Sequence, residues 1–123
     1  MKTNKLTTAL KLSMFLLILF TSGCYYDEVY VAPPEGEISY STDMQPFFDA
    51  KCTSCHNGTG APLNLNADVS YDALISGGYI NTTDPAGSSL YTKIDAGGSM
   101  EAYASDNERG ITLKWIEQGA NNN

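Results

Sequence analysis

The sequence predicts a small all-α domain built from about four short helices. Its 123 residues are enough for one domain, which disfavours multidomain enzymes and repeat arrays. Apolar residues recur at helical spacing in several segments, whereas neither paired strands nor alternating strands and helices are evident. The 11 glycines and 5 prolines interrupt the chain often, which favours short helices joined by loops.

Acidic side chains dominate the charge of the chain. Asp and Glu number 14 against 7 Lys and Arg, which gives a formal net charge of −7. Nucleic-acid-binding proteins carry a stripe of Lys and Arg that neutralises phosphates, and this sequence has no such stripe. We therefore expect no nucleic-acid partner. The acidic residues are scattered, which is typical of a solvated surface rather than of an acid–base catalytic pair.

Residues 1–23 have the pattern of a secretory signal. Three lysines precede an apolar run at residues 12–20, which is too short to span a bilayer, where about 20 residues are needed. Ser22-Gly23 directly before Cys24 resembles a bacterial lipobox, in which the cysteine is lipidated after cleavage. We expect export and lipid anchoring through Cys24 to the cell envelope, in the outer membrane at its periplasmic face or at the cell surface. The alternative is an ordinary signal with an incidental cysteine.

Residues 24–40 are predicted to form a flexible acidic tether. The segment contains Pro33-Pro34 and four acidic residues and has no apolar periodicity. The alternative is that residues 29–31 form a short strand or pack on the domain. The signal carries three of the seven basic residues and no acidic ones, so its removal leaves a strongly acidic mature chain.

The folded domain is assigned to residues 41–123, and its first helix is predicted to end at Cys52. Thr42 or Asp43 can cap the start of this helix, and Pro46 lies in the first turn, where a missing N–H costs little. Spacings of four, four and three residues create one shared helix face, made of Met44, Phe48, Cys52 and Cys55. We expect Met44 to pack against the last helix.

Two short helices are predicted in the middle of the domain. The second helix covers Ser70–Ser76 and is ended by Gly77-Gly78. The third covers Ser88–Asp95 and is ended by Gly97-Gly98.

The last helix has the clearest signals. Ser105 and Glu108 have the spacing of a capping box, in which each side chain accepts a hydrogen bond from the other residue's backbone N–H. Apolar residues lie along one side of the helix that follows. We expect Trp115 or Ile111 to pack against Phe48 where the first and last helices cross.

Cys52-Thr53-Ser54-Cys55-His56 is the C-x-x-C-H pattern of covalent haem attachment. Two cysteines three residues apart can present both sulfurs to the vinyl groups at one porphyrin edge, forming two thioether bonds. The adjacent His56 then lies under the iron as the proximal axial ligand. Attachment of haem c takes place outside the cytoplasm, which agrees with the predicted export. We therefore expect one covalent haem c.

Three other interpretations of these residues remain open. A thioredoxin-like redox pair would need a βαβ context, which is not evident. A zinc knuckle would need a fourth ligand beside Cys52, Cys55 and His56, and Cys24 lies far away. A structural disulfide between the two cysteines is the simplest alternative, since exported domains use disulfides.

The stretch from Met44 to Ala120 resembles the planctomycete-type monohaem cytochromes c, which have the cytochrome c fold. The resemblance rests on the C-x-x-C-H motif and on the segments 61–65, 84–90 and 114–120, together with Met100. It implies a fold of about four short helices wrapped around one haem. The family commonly has Met-Pro-Pro at the distal ligand, where this chain has Met-Glu-Ala at 100–102.

Met100 is the predicted distal axial ligand. The chain has a single His, so two imidazoles cannot come from one chain, and Met1 and Met14 leave with the signal. Met44 shares the helix that precedes the cysteines, whereas Met100 lies in a later loop long enough to reach the opposite side. We expect Met100 and His56 to line opposite walls of one cavity. The alternatives are that Met100 fills the core, or that the sixth position is vacant or taken by Lys or Tyr.

The Nδ1–H of His56 needs an acceptor that fixes the ring orientation. By similarity with the proline that follows the haem motif in cytochromes c, the Pro62 carbonyl is the expected acceptor.

Electron transfer by a lipid-anchored monohaem cytochrome with His/Met ligation is the function these residues favour. Both axial positions are then filled, so we expect an electron carrier rather than an enzyme, with no small-molecule substrate. The acidic surface favours redox partner proteins that have a basic docking patch. The alternatives are a haem protein with an open sixth site, gas-binding or peroxidase-like, and an accessory or scaffold lipoprotein stabilised by haem.

Overall fold

A computed structural model describes residues 35–123 of the chain. The predicted signal, Cys24 and most of the predicted tether lie outside the described residues. Within the described part all regular structure is helical, so the predicted all-α class is confirmed. The four α-helices, in chain order, are α1 (Gln45–Lys51), α2 (Ser70–Ser76), α3 (Ser89–Ile94) and α4 (Asp106–Glu117). None of the helices described here is long and apolar enough to cross a membrane.

One π-helical turn and two turns of 3₁₀ helix precede or connect these α-helices. A π-helical turn at Tyr40–Met44 leads directly into α1. Turns of 3₁₀ helix at Pro85–Gly87 and Glu101–Tyr103 precede α3 and α4. The predicted first helix is therefore a wide turn followed by an α-helix that ends at Lys51, one residue before the expected end.

Local signals explain most of the helix boundaries. Pro46 lies in the first turn of α1, as predicted, and α2 has the predicted bounds. The predicted capping box at the start of α4 is confirmed: Glu108 N–H donates to Ser105 Oγ over 3.4 Å, and Ser105 N–H donates to Glu108 Oε2 over 2.8 Å. Gly119 follows α4 with φ +100°, a conformation that glycine adopts without strain.

The core gathers buried side chains from the π-helical turn and from all four α-helices. Trp115 and Met44 are fully buried, and Phe48 is 1 % exposed. The ring of Tyr40 packs against both of these aromatic residues, with ring centroids 5.3 Å from Trp115 and 6.3 Å from Phe48. Tyr40, from the π-helical turn, thus lies between Phe48 of α1 and Trp115 of α4. The expected direct contact of Trp115 or Ile111 with Phe48 stays a prediction.

The burial of Tyr40 corrects the predicted domain boundary. Ile38 is 1 % exposed and Tyr40 is 4 % exposed, so the packed domain begins before residue 41. The proline pair and acidic residues that suggested a tether lie just upstream of these two apolar side chains. The prediction of a tether rested on the overall composition of residues 24–40, which does not distinguish these two buried side chains from the polar residues around them.

A buried polar chain links the π-helical turn to α1 and α2. The Tyr40 hydroxyl donates to Ser70 Oγ over 2.7 Å, and Ser70 Oγ donates to Gln45 Oε1 over 2.5 Å. Gln45 Nε2 in turn donates to Asp49 Oδ1 and to the Leu65 carbonyl. Each buried polar group therefore has a partner, as close packing of such groups requires.

Candidate functional site

The C-x-x-C-H residues lie in consecutive turns directly after α1. Cys52 N–H donates to the Phe48 carbonyl over 2.8 Å, which continues the helical pattern by one residue. The N–H groups of Cys55 and His56 both donate to the Cys52 carbonyl, over 3.1 and 2.8 Å. These bonds fold residues 52–56 into a compact turn, so the two cysteines and the histidine are held close together by the backbone.

The two cysteines are free thiols in different surroundings. Cys52 is partly buried and packs against the hydrophobic core, whereas Cys55 is exposed. Burial, together with the neighbouring Glu108 carboxylate, raises the pKa of the Cys52 thiol to about 11. Cys52 is therefore the inner sulfur of the motif, held close to α4, and Cys55 is the outer one.

His56 is oriented by a backbone carbonyl of the loop that follows it. Its Nδ1 lies 3.1 Å from the Leu63 carbonyl oxygen. A carbonyl can only accept, so Nδ1 carries the proton and Nε2 is the nitrogen with a free lone pair. This is the arrangement that fixes a metal-binding imidazole.

The expected acceptor at Pro62 is wrong by one residue. Two backbone bonds determine which carbonyl reaches the ring: Ala61 N–H donates to the Cys55 carbonyl, and Leu65 N–H donates to the His56 carbonyl. They close the loop so that Leu63 lies opposite Nδ1, while Pro62 is exposed. Gly60 permits this closure, because a Cβ atom there would lie 2.9 Å from the Cys55 carbonyl oxygen.

Met100 lies in the loop between α3 and α4, at the start of the 3₁₀ turn Glu101–Tyr103. Its N–H donates to the Lys93 carbonyl over 2.7 Å, which holds the loop against the end of α3. The side chain is 36 % exposed, so Met100 does not fill the core. Gly98, two residues earlier, approaches the carbonyls of Thr92 and Lys93 too closely for a Cβ atom to fit.

The donor set fits a covalently attached haem. Attachment would use two free thiols at this spacing, and iron ligation would use an imidazole oriented through its Nδ1; residues 52–56 together with Leu63 provide both. Within residues 35–123, no group of three or more His, Cys, Asp or Glu side chains is arranged to bind a metal ion. Ligation by one imidazole and one thioether needs no such group.

A cavity of about 330 Å³ opens at a different place in the domain. It lies beside the buried polar chain and is lined by residues of the π-helical turn, of α1, of α2 and the loop before it, and by Asn122. Cys52, Cys55, His56 and Met100 are not among its lining residues. The expectation that Met100 and His56 face each other across one cavity stays a prediction.

Comparison with protein-family models, with curated proteins and with solved structures gives no match.

Proposed function

We propose that the protein is an electron carrier: a monohaem c-type cytochrome, lipid-anchored through Cys24, with His56 and Met100 as axial ligands. The observation that carries the proposal is the turn at residues 52–56. It follows a helix directly, contains two free thiols, and holds an imidazole whose Nδ1 is bonded to a carbonyl. The helix α1 and its packing on the core give that turn a rigid support.

Each residue of the turn has a separate task in this proposal. Cys52 and Cys55 bind the porphyrin edge through thioether bonds, and His56 Nε2 binds the iron from one side. The Leu63 carbonyl keeps the imidazole oriented and increases its basicity. The bound haem supplies a one-electron couple in which iron alternates between Fe(III) and Fe(II).

Met100 provides the second axial ligand in the proposal. A thioether favours Fe(II) and therefore raises the reduction potential. With both positions filled, the iron would have no site for a substrate, and the exposed position of Cys55 would leave the attached edge open to a redox partner. The formal charge of −7 supports brief docking of a partner with a basic patch, at rates that fall with ionic strength.

A second candidate is an open sixth site that binds a small gas or peroxide. The 36 % exposure of Met100 is the observation that favours it, because a side chain so open to solvent can also leave the iron free. Arg109, the single arginine of the chain, is engaged with backbone carbonyls. It is therefore a poor candidate for assisting peroxide chemistry.

The deciding experiment compares oxidised and reduced absorption spectra of the protein matured in a host that attaches haem c. The parent is expected to show the weak long-wavelength band of an Fe(III)–thioether bond and not to bind CO when reduced. Met100→Ala should keep covalent haem, lose the band, bind CO and have a lower potential.

Met44→Ala is the matched control, since Met44 is fully buried and is expected to contribute packing only. It should keep the band and the potential while lowering the melting temperature. A parent that binds CO readily and lacks the band would favour the open site instead. A parent without covalent haem would contradict the cytochrome proposal altogether.

A further inference from the structure

Arg109 on α4 binds the loop that carries Met100 through a fan of hydrogen bonds. Its Nε donates to the Ile94 carbonyl over 3.0 Å. Its Nη2 donates to the carbonyls of Ala104 and Glu101, over 2.9 and 3.2 Å. The side chain is 18 % exposed, and its bonds to the Ile94 and Ala104 carbonyls are partly buried, whereas the bond to the Glu101 carbonyl is exposed. One side chain therefore binds three backbone carbonyls, one at the end of α3 and two in the loop that follows it.

The three carbonyls lie on both sides of Met100 in the chain. Ile94 is the last residue of α3, whereas Glu101 and Ala104 follow Met100. Arg109 thus closes the loop 95–104 at its base and holds it against α4. The guanidinium suits this task because its N–H donors form a rigid planar fork, which the single ammonium of lysine cannot reproduce.

Two further contacts hold Arg109 and the loop in place. Arg109 Nη1 pairs with Asp106 Oδ1 at 2.7 Å, one turn earlier on α4. Within the loop, Gly97 N–H donates to Glu101 Oε2 over 2.8 Å, and Met100 N–H donates to the end of α3. The loop has its own internal order, and Arg109 is its connection to the helix that crosses the core.

We propose that Arg109 is a positioning residue that holds the Met100 loop so that the thioether stays on the haem iron. The inference rests on the proposed function, since it concerns the same axial ligand. Arg109 does not touch the iron or the porphyrin in this proposal. It acts through the backbone on either side of Met100, and without it the loop opens and the sixth position becomes accessible.

The test compares the haem-loaded parent with Arg109→Met, which keeps much of the side-chain length but has no donors. Covalent haem should be unchanged, because Cys52 and Cys55 are intact. The Fe(III)–thioether band should weaken or disappear, and the reduced variant should bind CO. Amide hydrogen exchange at Met100 and Tyr103 should rise roughly tenfold to a hundredfold, while exchange in α1 stays as in the parent.

Two further variants separate positioning from general stability or charge. Arg109→Lys keeps the positive charge and should weaken the Fe(III)–thioether band without abolishing it. This variant replaces Arg109→Met in the test if the Met variant does not accumulate as folded protein. Lys51→Met is the matched control, because Lys51 also contacts α4, through Glu108 at 3.8 Å, and Glu108 lies outside the loop 95–104. The Lys51 variant should keep the Fe(III)–thioether band and show the same amide hydrogen exchange as the parent.

Each outcome either supports or overturns the inference. Suppose that the parent has the band and that the Arg109 variants keep it, do not bind CO and show parent-like amide exchange. This result overturns the inference about Arg109 but leaves the proposed function standing. Equal loss of the band in Lys51→Met also overturns it, because the effect would then be one of charge or stability. A parent that itself lacks the band overturns the proposed His/Met ligation and this inference with it.

Discussion

The two ring nitrogens of His56 differ in their hydrogen bonding, because one backbone carbonyl lies within reach of Nδ1. The bond from Nδ1 to the Leu63 carbonyl, 3.1 Å long, leaves Nε2 as the nitrogen that is available to the proposed iron. Residue identity alone predicts that a histidine after two cysteines is a ligand. The orientation of the ring depends on how the following loop closes, and this loop is closed by two backbone bonds and by Gly60.

Tyr40 should make the stability of the domain sensitive to alkaline pH. Burial of the phenol raises the pKa of Tyr40 from 10.0 to about 12, and the bond to Ser70 opposes this rise only in part. The fold thus favours the neutral phenol, so its contribution to stability is complete below pH 10 and is lost as pH rises towards 12. Free energies of unfolding of haem-loaded protein across this range should therefore fall.

Tyr40→Phe supplies the comparison for this pH dependence. It removes the titrating hydroxyl and keeps the ring that packs between Trp115 and Phe48. The variant should be less stable than the parent near neutral pH, because Ser70 loses a partner, and its stability should decline less between pH 10 and 12. Parallel curves for parent and variant would contradict the assigned pKa.

The helices α1 and α4 carry the two halves of the candidate site. α1 ends at the turn formed by residues 52–56, and α4 holds Arg109, which binds the Met100 loop. Tyr40 packs between the aromatic residues of these two elements, so the core connects both halves. The capping box and the stop at Gly119 define α4 locally, whereas its position depends on the packing of Trp115.

Replacing Trp115 by Ala should lower the free energy of unfolding by about 3–5 kcal/mol. Trp115 is fully buried, and its Nε1–H donates to the Asn121 carbonyl over 2.9 Å. The change empties a large site and leaves that carbonyl without its donor. Chemical denaturation of parent and variant measures the loss.

Glu117→Ala is the matched control on the same helix, because Glu117 is exposed. Its effect should stay within about 0.5 kcal/mol. A Trp115 variant as stable as this control would mean that the aromatic cluster does not organise the core.

On the scale of the whole molecule, the start of the described chain is fastened to its end. Ile38 N–H donates to Gln118 Oε1, and Tyr40 N–H donates to Asn123 Oδ1, each over 2.8 Å. Gln118 Nε2 also donates to the Gly36 carbonyl over 2.8 Å. The proposed tether therefore joins the domain beside the end of α4, where several hydrogen bonds hold residues 36–40 against residues 118–123.

Loss of both attachment cysteines should loosen the whole domain. A chain of this size buries a limited apolar area, and the proposed porphyrin would add to it. Cys52→Ala combined with Cys55→Ala should give protein without covalent haem and with a broad melt at lower temperature. Ser54 is exposed in the same turn, so Ser54→Ala is the matched control. This variant should keep covalent haem and a sharp thermal unfolding transition. A cooperative parent-like melt of the double variant would mean that haem does not organise the fold.

Cys24→Ala should release the protein from membranes if the proposed lipid anchor is the attachment. The measurement is the distribution of the protein between membrane and soluble fractions after cell lysis. Cys55→Ala is a useful comparison, because it also removes one cysteine and should leave the protein in the membrane fraction. Retention of the Cys24 variant on membranes would point to an uncleaved signal or to a docking partner.

The sequence by itself determined the features that depend on neighbouring residues. The bounds of α2, the capping box of α4 and the position of Pro46 all follow from side chains within a few residues of the backbone groups they satisfy. The attachment motif is also local, since its chemistry requires cysteines and histidine at one short spacing. Such signals are readable because the interacting groups are close in the chain.

The tertiary structure alone decided which distant groups meet. The carbonyl opposite His56 belongs to Leu63 rather than Pro62, because loop closure, not residue type, selects a backbone acceptor. The central place of Tyr40 arises from packing against residues up to 75 positions away. Arg109 reaches its three carbonyls only after α3 and α4 have packed together. Backbone carbonyls carry no sequence signal, since every residue has one, and only the folded chain selects among them.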